Sequence, residues 1–389
     1  MGIFASKFVD ARTRHGADCR TGAAQAPRHR TPAKQGFAAS LIVYLLMCCV
    51  AAAETVRVAT WHVELTRKGP GLLLADIAKG DAQVDSVVST IAHVTPDVIL
   101  LTGIDWDHDG IALTALSQSL ANAGIEFPYF FSARPNSGLP TKLDLDGDGY
   151  LGDAGDNQGW GRFPGHGGKA VLSKRKILSV KDFSDQLWAD QPNALLPETE
   201  DGLFPSQQVY EIQRLANVGH WHLTLDGGLQ LLTMAAGPPV FDGPEDRNGR
   251  RNHDEITFWV RYLDEVDAPA IVLGNANLDP NDGEGLQSAI QSLLTHERLQ
   301  DTRPASAGGP AAAAVQGGVN HSHIGDPALD TVDWSDDTGP GNLRVSYVLP
   351  DAGLKVTDSG VFWPLPDDPL YELLRDGPRH RLVWVDLEL

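Results

Sequence analysis

Three carboxylates at alternate positions followed by a glycine, Asp144-x-Asp146-x-Asp148-Gly149, form the most regular ligand spacing in the chain. Hard oxygen donors at every second residue, with a glycine to turn the backbone, make the first half of a calcium-binding loop. The bidentate Glu of such loops is replaced by Gly155, while Asp153 and Asp156 lie close by in sequence. We read a structural Ca²⁺ site on Asp144, Asp146, Asp148 and Asp153; the plainer alternative is a solvated acidic turn. His220-Trp221-His222 sets two imidazoles on one face of a strand, a spacing found among transition-metal ligands. No carboxylate partner accompanies them, and isolated histidines more often serve the surface or the core. The run Pro244–Asn252 is charged and opens a helix. Its Arg247, Arg250 and Arg251 can hold an anionic group, but a loop laced by its own ion pairs is the preferred reading. The Gly-rich stretches near 137–168 and 308–318 make no phosphate-binding fingerprint ahead of a helix, which argues against a nucleotide cofactor.

The elements that must position these groups alternate between strands and amphipathic helices. Val56–Trp61 is strand-like, and Val84, Val87, Val88 and Ile91 recur at the spacing of a helix face. Pro96 ends that helix, and Asp97–Leu101 reads as a buried strand. Leu113, Leu116 and Leu120 mark another helix ahead of a strand at Tyr129–Phe131. The second half repeats the style, with strands at Leu229–Thr233, Ile271–Leu273, Val345–Leu349 and Leu382–Leu387. Its helices carry Ile256, Trp259, Val260 and Leu263, then Leu286, Ala289, Ile290 and Leu293. This interleaving predicts one layered α/β domain with two halves of similar layout. Residues 132–168 and 303–343 read as long loops, the latter including Ala311–Ala314.

Charge and leader sequence bound the partners. Residues 1–36 are basic and irregular, an apolar run spans Leu41–Val50, and Ala51-Ala52-Ala53 closes it. These are the parts of a secretory signal peptide, so the expected organisation is a signal segment at 1–53 and a domain at 54–389. A retained anchor is the alternative, and no other membrane contact is expected. All 3 cysteines fall inside the signal segment, leaving an exported, periplasmic or extracellular domain without disulfides. The whole chain carries a formal charge of −20, and losing the basic leader makes the domain more acidic still. Such a surface repels phosphate backbones, which argues against binding nucleic-acid polymers.

Several blocks resemble the endonuclease/exonuclease/phosphatase superfamily, in its exported bacterial branch. They are Arg57–Trp61, Pro96–Leu101, Asp144–Gly149, Pro239–Asn252, Asp279–Gly283, Gly325–Asp330 and His380–Trp384, in family order across nearly the whole domain. The resemblance implies a four-layer α/β sandwich whose two sheets converge on a divalent-metal site that hydrolyses phosphoesters. Hydrolysis of that kind needs hard oxygen ligands for Mg²⁺, an oriented water and an acid/base pair. Set against the family pattern, His62 stands for an Asn, Gly103 for a Glu, Ala235 for a His and Asn275 for an Asp. Ser346 and Arg379 each stand for a further Asp, while Asn277 and His380 are retained.

Four carboxylates and one histidine of the implied site are therefore missing, and Arg379 places a fixed positive charge where a metal needs negative charge. Mg²⁺ or Mn²⁺ is not expected at the ancestral position. The implied function is a catalytically inactive binding or scaffold protein, holding a small anionic or phosphorylated ligand through Asn277, His380 and Arg379. The rival is an active metal-dependent phosphoesterase on a small substrate, using displaced ligands: Asp105, two residues beyond Gly103, or an imidazole site that includes His62.

Overall fold

The computed structural model describes residues 54–389; the segment read as a signal peptide, 1–53, lies outside them. Along the chain, β1 (Thr55–Leu65) is followed by α1 (Leu72–Lys79), α2 (Ala82–Val94), β2 (Val98–Ile104), α3 (Ile111–Asn122), β3 (Tyr129–Phe131) and β4 (Gly168–Ser173). Next come β5 (Ile177–Asp182), β6 (Trp221–Leu225), β7 (Gln230–Ala235), α4 (Arg247–Tyr262), β8 (Ala270–Asn275) and α5 (Ser288–Leu294). The chain closes with α6 (Gly308–Gln316), β9 (Ser346–Pro350), β10 (Lys355–Phe362) and β11 (Leu382–Glu388). Local chemistry sets several of these ends. The Asp81 carboxylate caps α2 by accepting from the Gln83 amide at 3.2 Å, and Thr95 leaves the helix in a left-handed conformation just before Pro96.

A six-stranded sheet runs in the order β10-β11-β1-β2-β4-β3, and a five-stranded sheet in the order β9-β8-β7-β6-β5. Each is built around one parallel pair, β1/β2 and β7/β8, flanked by antiparallel neighbours. The two halves therefore share the layout that their sequence patterns suggest.

Period-two alternation sorts the side chains into layers. In β1, Ala59, Trp61, Val63 and Leu65 pack with Val84, Val87 and Ile91 of α2 and Leu113, Leu116 and Leu120 of α3. Val56 and Val58 point the other way, into a core shared with Leu231, Ile271, Leu273 and Val348 of the second sheet. On that sheet's far side, Leu232, Met234, Val272 and Leu349 pack with Ile256 and Trp259 of α4 and Ala289, Ile290 and Leu293 of α5. The α/β stacking is thus helices, sheet, sheet, helices. No helix among the described residues is long and apolar enough to cross a membrane.

One expectation needs correction. Residues 303–343 are not all loop, because α6 covers Gly308–Gln316 and includes the alanine run. The preceding glycines conceal it, yet Gly308 is where α6 meets Trp363, so tightly that a Cβ would lie 2.4 Å from that ring. The sequence reading places no strand at β4, β5 or β10; β5 and β10 are edge strands, and most residues of β5 are exposed.

Candidate functional site

The inter-sheet stripe continues past its apolar core to the ends of the central strands, and there its residues become polar. Thr60, His62 and Glu64 follow Val56 and Val58 on the same face of β1; Asn275 follows Ile271 and Leu273 on β8. Strand register then aligns the positions that the resemblance singles out. Asn275 pairs with Ala235 on one side and with Ser346 on the other, while His62 pairs with Thr102, next to Gly103. A cleft of about 540 Å³ opens at this convergence, lined by His62, Gly103, Ala235, Asn275, Asn277, Arg379 and His380, together with Glu64. Ser346 lies behind the lining, buried, with no partner for its hydroxyl.

The His62 ring occupies the middle of the site. Its Nδ1 lies 3.0 Å from Thr102 Oγ1 and 3.4 Å from Asn275 Nδ2, and its ring centroid is 4.5 Å from that of His380. Gly103 sits at φ +68 with the ring pressed against it: a Cβ there would lie 2.6 Å from His62 Cε1. Burial pulls the His62 pKa down to about 4, and burial reinforced by the charges of His62 and Arg381 pulls His380 well below its ordinary value. Both imidazoles are neutral at neutral pH. His380 packs edge-on to Trp334, and its Nδ1 is buried without a partner.

The remaining groups are amides and one opposed pair of charges. Asn275 donates to Asn277 Oδ1 at 3.1 Å, the Asn277 amide returns a bond to Asn275 Oδ1, and Asn277 Nδ2 donates to the Ala236 carbonyl. Asn277 holds this network from a left-handed conformation at φ 51. Glu64 accepts from the Arg379 amide at 3.0 Å; burial raises its pKa, and the Arg379 charge works against that rise. With His166 and Asn217 also in the wall, the cleft presents three imidazoles, three carboxamides, one carboxylate already bonded to backbone, and one guanidinium.

This donor set does not fit Mg²⁺. Among the described residues, the groups of three or more His or carboxylate ligands whose donor atoms lie within 4.8 Å of one another are all in the acidic loop. An octahedral hard cation needs several converging oxygens, and here the convergent atoms are imidazole nitrogens and amides beside Arg379.

Other sequence expectations are redirected. Asp105 does not reach the cleft to act as the acid that the resemblance implies at Gly103: Oδ2 accepts from the Arg67 amide and Oδ1 from the Gly167 amide, and it lines a separate depression with Trp106 and Asp107. It latches β2 to the loop ahead of β4. His220 and His222 do not join His62 in a metal site either. The His220 ring stacks on Phe258 at 4.8 Å, and His222 is held between Tyr262 Oη and Gln230 Oε1. The run at 244–252 is not laced by ion pairs. Arg251 donates to the carbonyls of Leu215, Gln158, Arg214 and Ala216, Arg250 to that of Glu245, and Arg247 to Gln213 Oε1.

The acidic loop does gather its carboxylates. Asp146, Asp148 and Asp153 bring oxygens within 4.8 Å of one another, and so do Asp144, Asp146 and Asp156. Burial raises the Asp146 pKa, with the charges of Asp148, Asp153 and Asp156 adding to the rise. Asp144 also accepts from the amides of Gly147 and Gly149, which shapes the turn.

Sequence reasoning missed Glu64, Trp160, Phe241 and Trp334 in the cleft wall. Glu64 was within reach, since it follows His62 by two residues on the same strand face. The three aromatics come from loops, where no periodicity announces direction.

A family model described as "Endonuclease/Exonuclease/phosphatase family" matches residues 64–380. Among solved structures, the chain is similar to an endonuclease/exonuclease/phosphatase from Beutenbergia cavernae at 17% identity and a TM-score of 0.49, covering 86% of this chain and 72% of that one. It is also similar to a family protein from Leptotrichia buccalis at 15% identity and a TM-score of 0.48, covering 86% of this chain and 100% of the other. A mannosyl-6-phosphatase from Bacteroides thetaiotaomicron follows at 13% identity and a TM-score of 0.45, with 86% and 100% covered. No curated protein sequence matches the chain.

Proposed function

The chain belongs to the endonuclease/exonuclease/phosphatase family, and from that premise we propose that it is a ligand-binding member that has lost metal-dependent phosphoester hydrolysis. The observation that carries this reading is the packing of His62 on Gly103. The imidazole fills the volume into which a side chain at 103 would project, so the missing acid has been replaced in space as well as in sequence. Removing converging carboxylates also removes their mutual repulsion, so the polar cleft costs little stability.

The ligand this cleft suits is small and anionic or phosphorylated. Arg379 supplies the charge, while Asn277 and the neutral His380 supply directional contacts at a mouth walled by aromatic side chains. We place the protein outside the cytoplasm on the sequence of its first 53 residues alone. We also read the loop at 144–153 as a structural Ca²⁺ site, because three carboxylates this close repel one another until a cation joins them.

The test is calorimetric titration of the 54–389 domain with Mg²⁺ and Mn²⁺, beside a generic phosphodiester assay with and without chelator. Calcium is titrated separately on wild type and on Asp146→Asn/Asp148→Asn. We expect no turnover, no Mg²⁺ or Mn²⁺ binding in the cleft, and calcium binding that the double substitution removes. Turnover that chelator abolishes and Glu64→Gln or His62→Ala eliminates would overturn the inactive reading. Calcium binding unchanged by the double substitution would overturn the loop assignment.

A further inference from the structure

We propose that a second cavity beside the cleft is an anion-anchoring subsite built on Arg247, taking the oxyanion of a small organic ligand whose ring lies against Phe241 and Trp160. This deepens the binding reading above and rests on it for the shared wall. The cavity measures about 560 Å³. Trp160, Asn217, Pro238 and Phe241 line both it and the cleft, so one ligand can reach into each.

Arg247 is the first residue of α4 and only 7% exposed, yet it forms no ion pair. Nη2 donates to Gln213 Oε1 at 2.9 Å, while Nε is buried with no partner. A guanidinium taken out of water is costly unless its donors are satisfied, and burial already pulls its pKa below the ordinary value. Its neighbour Arg251 shows the contrast, because carbonyl oxygens take up its donors. The helix N-terminus is already served by this chain: α4 begins at the cavity wall and its N-cap Asp246 makes no side-chain cap, but the Asp242 carboxylate accepts from the Asn248 amide, so the attraction rests on Arg247.

The opposing charges limit what fits. Glu255 also lines the cavity, but both oxygens accept backbone amides, from Asn217 and Gly237, and burial pushes its pKa up to about 7. Asp146 reaches the same wall from the acidic loop. The site therefore suits a single oxyanion rather than a polyanion. The body of the ligand is indicated by the mouth. Phe241 is 89% exposed and held at φ 73, and Trp160 is 54% exposed. Exposed aromatics beside a charged recess mark a place where a flat or apolar group docks.

The experiment titrates the 54–389 domain with phenyl phosphate, benzoate and inorganic phosphate. Ring-bearing anions are expected to bind more tightly than inorganic phosphate. Arg247→Gln should weaken the better of them at least about tenfold, as loss of a charge-assisted contact does. Phe241→Ala should weaken it several-fold, and the surface control Arg375→Ala should bind as wild type does. If Arg247→Gln does not fold, Asn248→Asp, which adds a negative charge to the same wall, should weaken binding in its place. No binding of either ring compound up to about 10 mM, or equal binding by wild type and the wall variant, would overturn the subsite. Weakening by Arg379→Ala alone would confine the anion to the cleft and also overturn it. Chelator-sensitive turnover would instead sink the inactive reading and leave the Arg247 result standing.

Discussion

At the scale of single residues, His62 and Gly103 form one unit. The left-handed φ of Gly103 disfavours any side chain, and the ring fills the space a Cβ would need. Gly103→Ala is expected to cost about 2–3 kcal/mol in chemical denaturation, the sum of backbone strain and overpacking. In a His62→Ala background the cost should fall to about 1 kcal/mol, leaving only the backbone part. An equal cost in both backgrounds would show that the ring is not the obstacle. His62 also makes stability depend on pH. Its folded pKa of about 4 lies below the ordinary histidine value, so the unfolded chain binds more protons between the two. The contribution is fully present above about pH 6.5 and is lost as pH falls through about 4. His62→Gln should make the fall in melting temperature across that window shallower, and an unchanged slope would remove His62 as its source. The residues at 62 and 103 are legible in sequence one at a time; that the His62 ring leaves no room for a side chain at 103 is a matter of 2.6 Å in space.

At the scale of elements, α4 shows where pattern reading stops. Its apolar residues Ile256, Trp259 and Leu263 mark the helix in sequence and pack against the second sheet. Its polar residues are buried as well: Arg251, Asn252, Asp254 and Glu255 all lie in the interior. The segments around 136–161 and 184–217 cover that face and bring backbone groups that need partners. Arg251 serves carbonyls on both segments, and Glu255 serves the amides of Asn217 and Gly237. Asp254 accepts from Trp188 Nε1 and from the Leu195 amide, each at 2.7 Å. Asp254→Ala strands two buried donors and should cost about 3 kcal/mol in urea or guanidinium unfolding, with Asp254→Asn in between. A change under about 0.5 kcal/mol would mean that water reaches these donors. An amphipathic pattern assigns polar residues to solvent, and only the path of the covering loops reverses that assignment.

At the scale of the whole molecule, two half-sheets of like design meet face to face, and the site lies where their shared apolar stripe ends. The whole chain carries a formal charge of −20. Gel-shift titration with single- or double-stranded DNA should therefore show no complex at about 0.15 M salt, where the attraction needed to hold a polyanion is absent. A complex that survives at that salt would show that the positive charge of Arg379 in the cleft outweighs the net charge.

The sequence by itself determined the α/β class, the helices and strands with clean periodicity, and the family. These follow from local spacing and from residue identity, which need no partner to be read. Tertiary structure alone decided that Asp105 is a latch, that His220 belongs to the core and that Arg247 is left with a donor to spare. Each of those roles depends on which distant group arrives within hydrogen-bonding reach. Residues from 62 to 380 meet in one cleft, and only the packing of the two sheets sets those distances.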